Sequence, residues 1–408
     1  MHESTLITTI VSGLVTAFVF AAIAHRLKLP IITGYLLAGV IIGPFTPGYV
    51  ADSLIAAQLA ELGVVLLMFG VGLHFSLGEL LAVKFVAIPG ALIQMAASTA
   101  LGMLLGWKLG WPTMKCFVFG LALSVASTVV LLRALDERHL MESERGRIAM
   151  GWLIVEDLAM VLALVLIPAM GSMLGAGESL SLTKVAVTIA VTAGKVIAFV
   201  ALMLVVGKRF IPWLLHVIER SGSRELFSLA VLAIALGVAF FVTDIFGVSF
   251  ELGAFFTGMM MGESKLAQRA AEETLPMRDA FAALFFVSIG MLFNFNVLVT
   301  DPLVVLYALL IIVFGKSLVA LAIMLVFKRP LRTALTIAVS LAQIGEFSFI
   351  LIGVGVAQHL VSSHAQDVLL AAAILSILIN TLLFVLLDRL TPWLAAREEP
   401  ASGSPARS

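Results

Sequence analysis

Two carboxylates and one amine stand in stretches of sequence that are otherwise apolar. Glu156 and Asp157 interrupt Gly151-Trp-Leu-Ile-Val-Glu-Asp-Leu-Ala-Met160, and Lys316 lies at the middle of the apolar run 303–327. On a helix the two neighbouring carboxylates point about 100° apart. An ionisable side chain at membrane depth costs at least a few kcal/mol, so it marks ion or proton chemistry unless it is paired. A structural Glu156–Lys316 pair is the bland reading. One lysine cannot neutralise two carboxylates, so Asp157 is the first candidate for binding a cation or a proton, with Glu156 beside it and Lys316 as the compensating charge.

Neutral oxygens complete the set. Ser124, Ser127 and Thr128 fall at i, i+3 and i+4, which on an unbroken helix puts them on one face. Hydroxyl and carbonyl oxygens are the hard ligands an alkali cation takes; the alternative is ordinary packing through small residues. Leu341-Ala-Gln-Ile-Gly-Glu-Phe-Ser348 carries Gln343 and Glu346 around Gly345, a point of weak helix propensity. Glu61 and Glu251 also fall in apolar runs and are candidates for a proton path or for the interface. His74 reads as interfacial, Lys195 as a lysine that snorkels or meets a lipid head group, and Cys116 as a small apolar helix residue that excludes an internal disulfide.

The elements that position these groups must be membrane helices. Of 408 residues 61% are hydrophobic and 12% charged, about half the charge of a soluble domain. Runs long enough to cross a bilayer as helices number thirteen, near 6–25, 31–50, 57–75, 84–107, 113–135, 145–170, 184–206, 224–243, 247–262, 277–297, 303–327, 332–357 and 364–387. With the N-terminus outside, 20 of the 25 Lys and Arg fall on the inner side and three on the outer, while Lys195 and Lys316 lie inside spans. That split satisfies the positive-inside rule and places the C-terminus in the cytoplasm. The first run lacks the basic residues that precede the apolar region of a signal peptide, and is read as a retained helix. The polar tail, 398–408, is expected to be disordered.

The chain also repeats itself. Gly34, Gly39 and Gly43 recur as Gly253, Gly258 and Gly262 at an offset of 219, and Leu67-Met-Phe-Gly-Val-Gly72 resembles Phe285-Phe-Val-Ser-Ile-Gly290 at 218. Spans one to six (1–170) would then be duplicated as spans eight to thirteen (224–387), joined by a connector helix at 184–206. Seven spans separate equivalent points, so the second unit enters the membrane from the other side. Inverted repeats of this kind are the architecture of many secondary transporters, whose sites lie at interrupted helices in equivalent positions. The offset sets Ser124 opposite Gln343 and Ser127 opposite Glu346, in spans five and twelve. No metalloprotease, P-loop or dinucleotide motif is present, so an enzyme or an ATP-driven pump finds no support and no cofactor is expected.

Pro30-Ile-Ile-Thr-Gly-Tyr-Leu-Leu-Ala-Gly39, Glu61-Leu-Gly-Val-Val-Leu-Leu-Met-Phe-Gly70, Ala126-Ser-Thr128, Val155-Glu-Asp-Leu158, Leu284-Phe-Phe-Val-Ser-Ile-Gly-Met291 and Gly345-Glu-Phe347 together resemble the cation:proton antiporter-2 family, with its Kef-type and YbaL-like exchangers. The resemblance implies an all-α polytopic fold with a dimerisation domain and a mobile core in which two broken helices, here spans five and twelve, cross near the ion. It also implies that Asp157 is the ion-binding aspartate and Lys316 the core lysine. Many relatives carry Asn, Gln or Asp where this chain has Glu156, and many carry a cytoplasmic nucleotide-binding domain after the last span, which is not seen before Ser408. The expected function is exchange of a monovalent cation for protons, both competing at Asp157, by a homodimer in a bacterial inner membrane. Potassium is the first choice and sodium the second, with a channel or uniporter as the rival.

Overall fold

The structure is a computed structural model that describes residues 4–27, 29, 31–47, 50–73, 77–175, 182–247, 250–264 and 266–398. Lys28, Pro30, His74, Lys265 and 399–408 lie outside the described residues. In chain order the helices are α1 Ser4–Arg26, α2 Ile31–Ile42, α3 Ser53–Leu73, α4 Leu77–Lys108, α5 Thr113–Ser124, α6 Thr128–Asp136, α7 Glu144–Gly175, α8 Leu182–Leu202, α9 Lys208–Glu219, α10 Arg224–Phe246, α11 Phe250–Gly262, α12 Ala267–Met291, α13 Val297–Thr300, α14 Pro302–Leu310, α15 Lys316–Val326, α16 Leu331–Ser340, α17 Glu346–Ala357 and α18 Ser363–Glu398. One π-helical turn, Met203–Gly207, joins α8 to α9, and another, Ile311–Gly315, joins α14 to α15. Among the described residues, seven helices are long and apolar enough to cross a membrane, and six apolar helices are shorter. Their outer faces carry Phe18, Phe85, Phe240 and Val326 exposed, which suits lipid and not water. The protein is an integral membrane protein.

Every apolar run corresponds to a helix or a broken pair of helices, but several limits differ. α2 ends at Ile42, where Gly43-Pro44 turns the chain, and not near residue 50. The connector, expected at 184–206, continues through its π turn into α9 as far as Glu219. Lys208 and Arg209 end the apolar run but not the helix, because α9 is amphipathic, with Ile211 and Leu215 buried. α12 begins at Ala267, ten residues before the expected 277. Its first half carries charges that are satisfied at the surface, Gln268 bonding Glu272 and Arg224 bonding Glu273. α18 runs to Glu398, so the expected disordered tail does not begin before 399; its polar extension is tied down by Asp388, which pairs with Arg138 at 3.0 Å.

The chain divides into two compact units. The first comprises 1–81, 158–295 and 353–360. Its helices pack through glycines: Gly39 of α2 lies against the backbone of Val287 and Gly290 of α12, and Gly258 of α11 against Phe69 and Leu73 of α3. The second comprises 82–157, 296–352 and 361–408. Trp152, Leu131, Leu135, Ile148 and Ile337 are buried at its centre, and the flat face of Gly90 abuts the Trp152 ring.

A side chain at Gly39 would collide with a carbonyl and a Cα of α12, atoms that cannot turn aside. Gly39→Val should therefore lower the thermal midpoint of the detergent-solubilised protein, an effect of about 1–3 kcal/mol. Gly237→Ala, in open space within α10, should hold or raise it; equal loss in both variants would contradict this packing.

Candidate functional site

Two helices of the second unit break, and the breaks meet. α5 stops at Ser124; Val125 is extended, at φ −97° and ψ 136°; α6 restarts at Thr128. Ser127 caps α6, its Oγ accepting from Val130 N at 3.2 Å and its carbonyl from Leu131 N at 3.2 Å. This is the ordinary use of serine at a helix start. α16 stops at Ser340, and α17 restarts at Glu346, an acidic residue in the first turn that complements the helix dipole. Gly345 is the point of closest approach: a Cβ there would stand 2.7 Å from Ser127 N and 2.8 Å from Ser127 Cβ. Only glycine lets the two backbones come this near.

Buried backbone outside a helix must find partners elsewhere, and side chains supply them. The Gln343 amide pairs with Ser127 as a strand would, Oε1 accepting from Ser127 N at 2.9 Å and Nε2 donating to Ser127 O at 3.2 Å. Glu156 Oε2 accepts from Ala126 N at 2.8 Å. Gln94 Nε2 donates to Ser124 O at 3.1 Å and to Ser98 Oγ at 3.0 Å, and Trp152 Nε1 donates to Gln94 Oε1 at 3.3 Å. Lys316 Nζ donates to Gln343 O at 3.0 Å, setting a positive charge against the carbonyl end of a broken helix. Asn380 Nδ2 donates to Val339 O at 2.6 Å just before the second break.

Three carboxylates converge on this frame. Glu346 Oε2 accepts from Ser127 Oγ at 3.0 Å, and Asp157 Oδ2 from Thr128 Oγ1 at 3.1 Å. Glu156 and Glu346 are buried and Asp157 is half-buried. In each, the second oxygen, Glu156 Oε1, Asp157 Oδ1 and Glu346 Oε1, is covered and accepts no hydrogen bond among the described residues. Buried acceptors of this kind are strong seats for a cation or a proton.

Asp157, Glu156, Ser127, Thr128, Lys316, Gln343 and Glu346 therefore come together as the sequence suggests, with two corrections. Ser124, Ser127 and Thr128 do not share a helix face, because the helix is interrupted between them. Ser124 Oγ turns back to Leu121 O at 2.7 Å, and it is the Ser124 carbonyl that enters the network. Nor is Lys316 held by Glu156 as an ion pair: its hydrogen bond goes to the Gln343 carbonyl. Glu61 lies on an exposed face of α3 in the first unit, and Glu251 lies in α11 of that unit with its side chain outside the described residues. Gln94, Trp152 and Asn380 belong to the network and were not singled out by sequence. Gln94 and Asn380, lone amides in apolar helices, carried a readable signal.

Gln343→Leu strips the Ser127 N–H and C=O of partners, each unsatisfied group costing about 1–3 kcal/mol. It should lower the thermal midpoint sharply, and Gly345→Ala should do so by forcing the breaks apart; a wild-type midpoint in both would contradict the crossing.

The chain matches the family model of the transmembrane sodium/hydrogen exchangers over residues 14–388. It is 59% identical over 390 residues to YbaL of Escherichia coli (strain K12), whose name assigns it cation/proton antiport, covering 95% of this chain and 70% of that one. It is 37% identical over 387 residues to K(+) efflux antiporter 4 of Arabidopsis thaliana, covering 94% of this chain and 63% of that one. The fold resembles that of the sodium proton antiporter MjNhaP1 from Methanocaldococcus jannaschii, with a TM-score of 0.65 at 16% identity, covering 97% of this chain and 99% of that one. Its helices, its motifs and these matches agree: the chain belongs to the transmembrane sodium/hydrogen exchanger family, a family of transporters and not of enzymes.

Proposed function

We propose that the chain is a secondary active antiporter that exchanges a monovalent cation for protons by alternating access. The observation that carries the proposal is the set of covered, unbonded carboxylate oxygens at the crossing of two broken helices. Asp157 is the shared site. Its Oδ1, with the Thr128 hydroxyl near Oδ2, offers one formal charge and neutral oxygens, which suits a monovalent cation. Glu156 and Glu346 each commit one oxygen to the frame, and among the described residues no group of three His, Cys, Asp or Glu is placed to hold one metal ion between them. A proton on Asp157 removes the charge that holds the cation, so occupancy by one excludes the other and the two fluxes are coupled. Potassium is the first candidate, on the likeness to a K(+) efflux antiporter, and sodium the second.

The architecture proposed with it is thirteen spans in two inverted repeats. Contacts inside each unit support this reading. The offset of 219 carries the α2–α12 contact at Gly39 and Gly290 onto the α11–α3 contact at Gly258 and Gly72, within a residue. It also carries Ser127 onto Glu346, and these two residues bond each other. We further propose, from the family and the charge split, a homodimer in a bacterial inner membrane, with the N-terminus outside and the C-terminus cytoplasmic.

In proteoliposomes with an internal pH dye, Asp157→Asn should abolish cation-driven proton movement. The wild type should show an apparent cation KM that rises as pH falls, by as much as about tenfold per unit where the proton dominates the site. Activity of Asp157→Asn near wild type, a KM independent of pH, or cation flux with no proton movement would each overturn the reading. Potassium and sodium, tested in turn, separate the two cations.

A further inference from the structure

Within the second unit, the ends of α6, α7, α16 and α18 enclose a cavity of about 210 Å³ that contains none of the ion-site residues. Arg138, Arg145, Arg332, Thr336, Phe384 and Asp388 form most of its wall. All three arginines are half-buried, an unusual state for a residue that is mostly exposed. Arg138 is fixed: Nε and Nη2 reach Asp388 at 3.1 and 3.0 Å, Nη1 donates to Ala134 O at 3.0 Å, and its guanidinium lies 4.6 Å from the centre of the Phe384 ring. Arg145 Nη1 donates to the Thr336 hydroxyl at 3.3 Å. Arg332 lies in the first turn of α16 and Arg145 in that of α7, so two helix N-termini add their positive ends to the cavity.

The wall therefore brings three guanidinium groups and one carboxylate, Asp388, around a polar hollow, with the exposed Glu137 carboxylate 3.7 Å from Arg138. We propose that this cavity is an anion site that binds a phosphate group, carried either by the head group of an anionic phospholipid or by a soluble phosphate compound. The planar guanidinium fork matches phosphate oxygens two at a time, and half-burial strengthens each contact over its value in water. The site is separate from the ion site but shares its framework. α6 starts at one break, α16 ends at the other, and α7 carries Glu156 and Asp157, so a phosphate held by Arg138, Arg145 and Arg332 ties together the far ends of the three helices that build the crossing.

The test uses the full chain in phosphatidylcholine nanodiscs, in two arms, with thermal midpoint and retained ligand as readouts. One arm adds inorganic phosphate; the other replaces part of the lipid with phosphatidylglycerol and counts retained lipid by native mass spectrometry. The wild type should be stabilised in at least one arm, and which arm responds identifies the source of the phosphate. Arg145→Gln with Arg332→Gln should weaken the response about tenfold or more. Asp388→Asn, which removes the competing carboxylate, should strengthen it, an effect that a folding defect cannot imitate. Arg389→Gln, exposed and outside the wall, should leave it unchanged. No stabilisation in either arm, an equal loss in Arg389→Gln, or a weaker response in Asp388→Asn would overturn the site.

Discussion

Buried backbone outside a helix must find its hydrogen-bond partners within the protein, and this protein buries two stretches of non-helical backbone, at 125–127 and 341–345. The rest of the second unit follows from satisfying them. Gln343 answers Ser127, Glu156 answers Ala126, Gln94 answers Ser124, and Lys316 answers the carbonyl of Gln343 itself. The groups that make the crossing possible are thus also the buried charged and polar groups of the candidate site. Each carboxylate commits one oxygen to the frame and leaves the other without a hydrogen bond among the described residues, so the scaffold and the proposed binding site share the same side chains.

Lys316 illustrates how the fold positions a charge. It follows directly on the π-helical turn Ile311–Gly315, and such a turn shifts the register of everything after it. The lysine is fully buried, yet its ammonium is held by the Gln343 carbonyl, in the break that follows α16. A positive charge at a helix C-terminus is favourable whatever the state of nearby carboxylates.

Much of this was readable in the sequence, for physical reasons that differ by element. Long apolar runs read as helices for want of any partner in lipid, so the all-helical membrane fold was legible. The glycines at close helix contacts, such as Gly39 and Gly258, were legible because they cannot be replaced by larger residues without a clash. The Gly345 break announced itself through a glycine flanked by polar residues. The break at 125–127 carried no such local signal, since Val125 and Ala126 are as apolar as any helix residue, and only the family resemblance implied it; read as an unbroken helix, the segment puts the three hydroxyls on a face that does not exist. Helix limits failed wherever a helix outlasts its apolar run, as in α9, α12 and α18, because hydropathy ends where the helix does not. Gln94 and Asn380 escaped because a neutral amide is quieter in composition than a charge, although burying one without a partner still costs a few kcal/mol.

The central claim is that proton and cation share Asp157, and the most direct measurement is proton release on cation binding. Weakly buffered, solubilised protein with a pH dye would be titrated with potassium and then sodium, with bound cation counted in parallel. If Asp157 is the shared site, the wild type releases protons in proportion to cation bound at a pH where the site is protonated, and Asp157→Asn releases none. Cation binding to the wild type with no proton release, or undiminished release from Asp157→Asn, would contradict it.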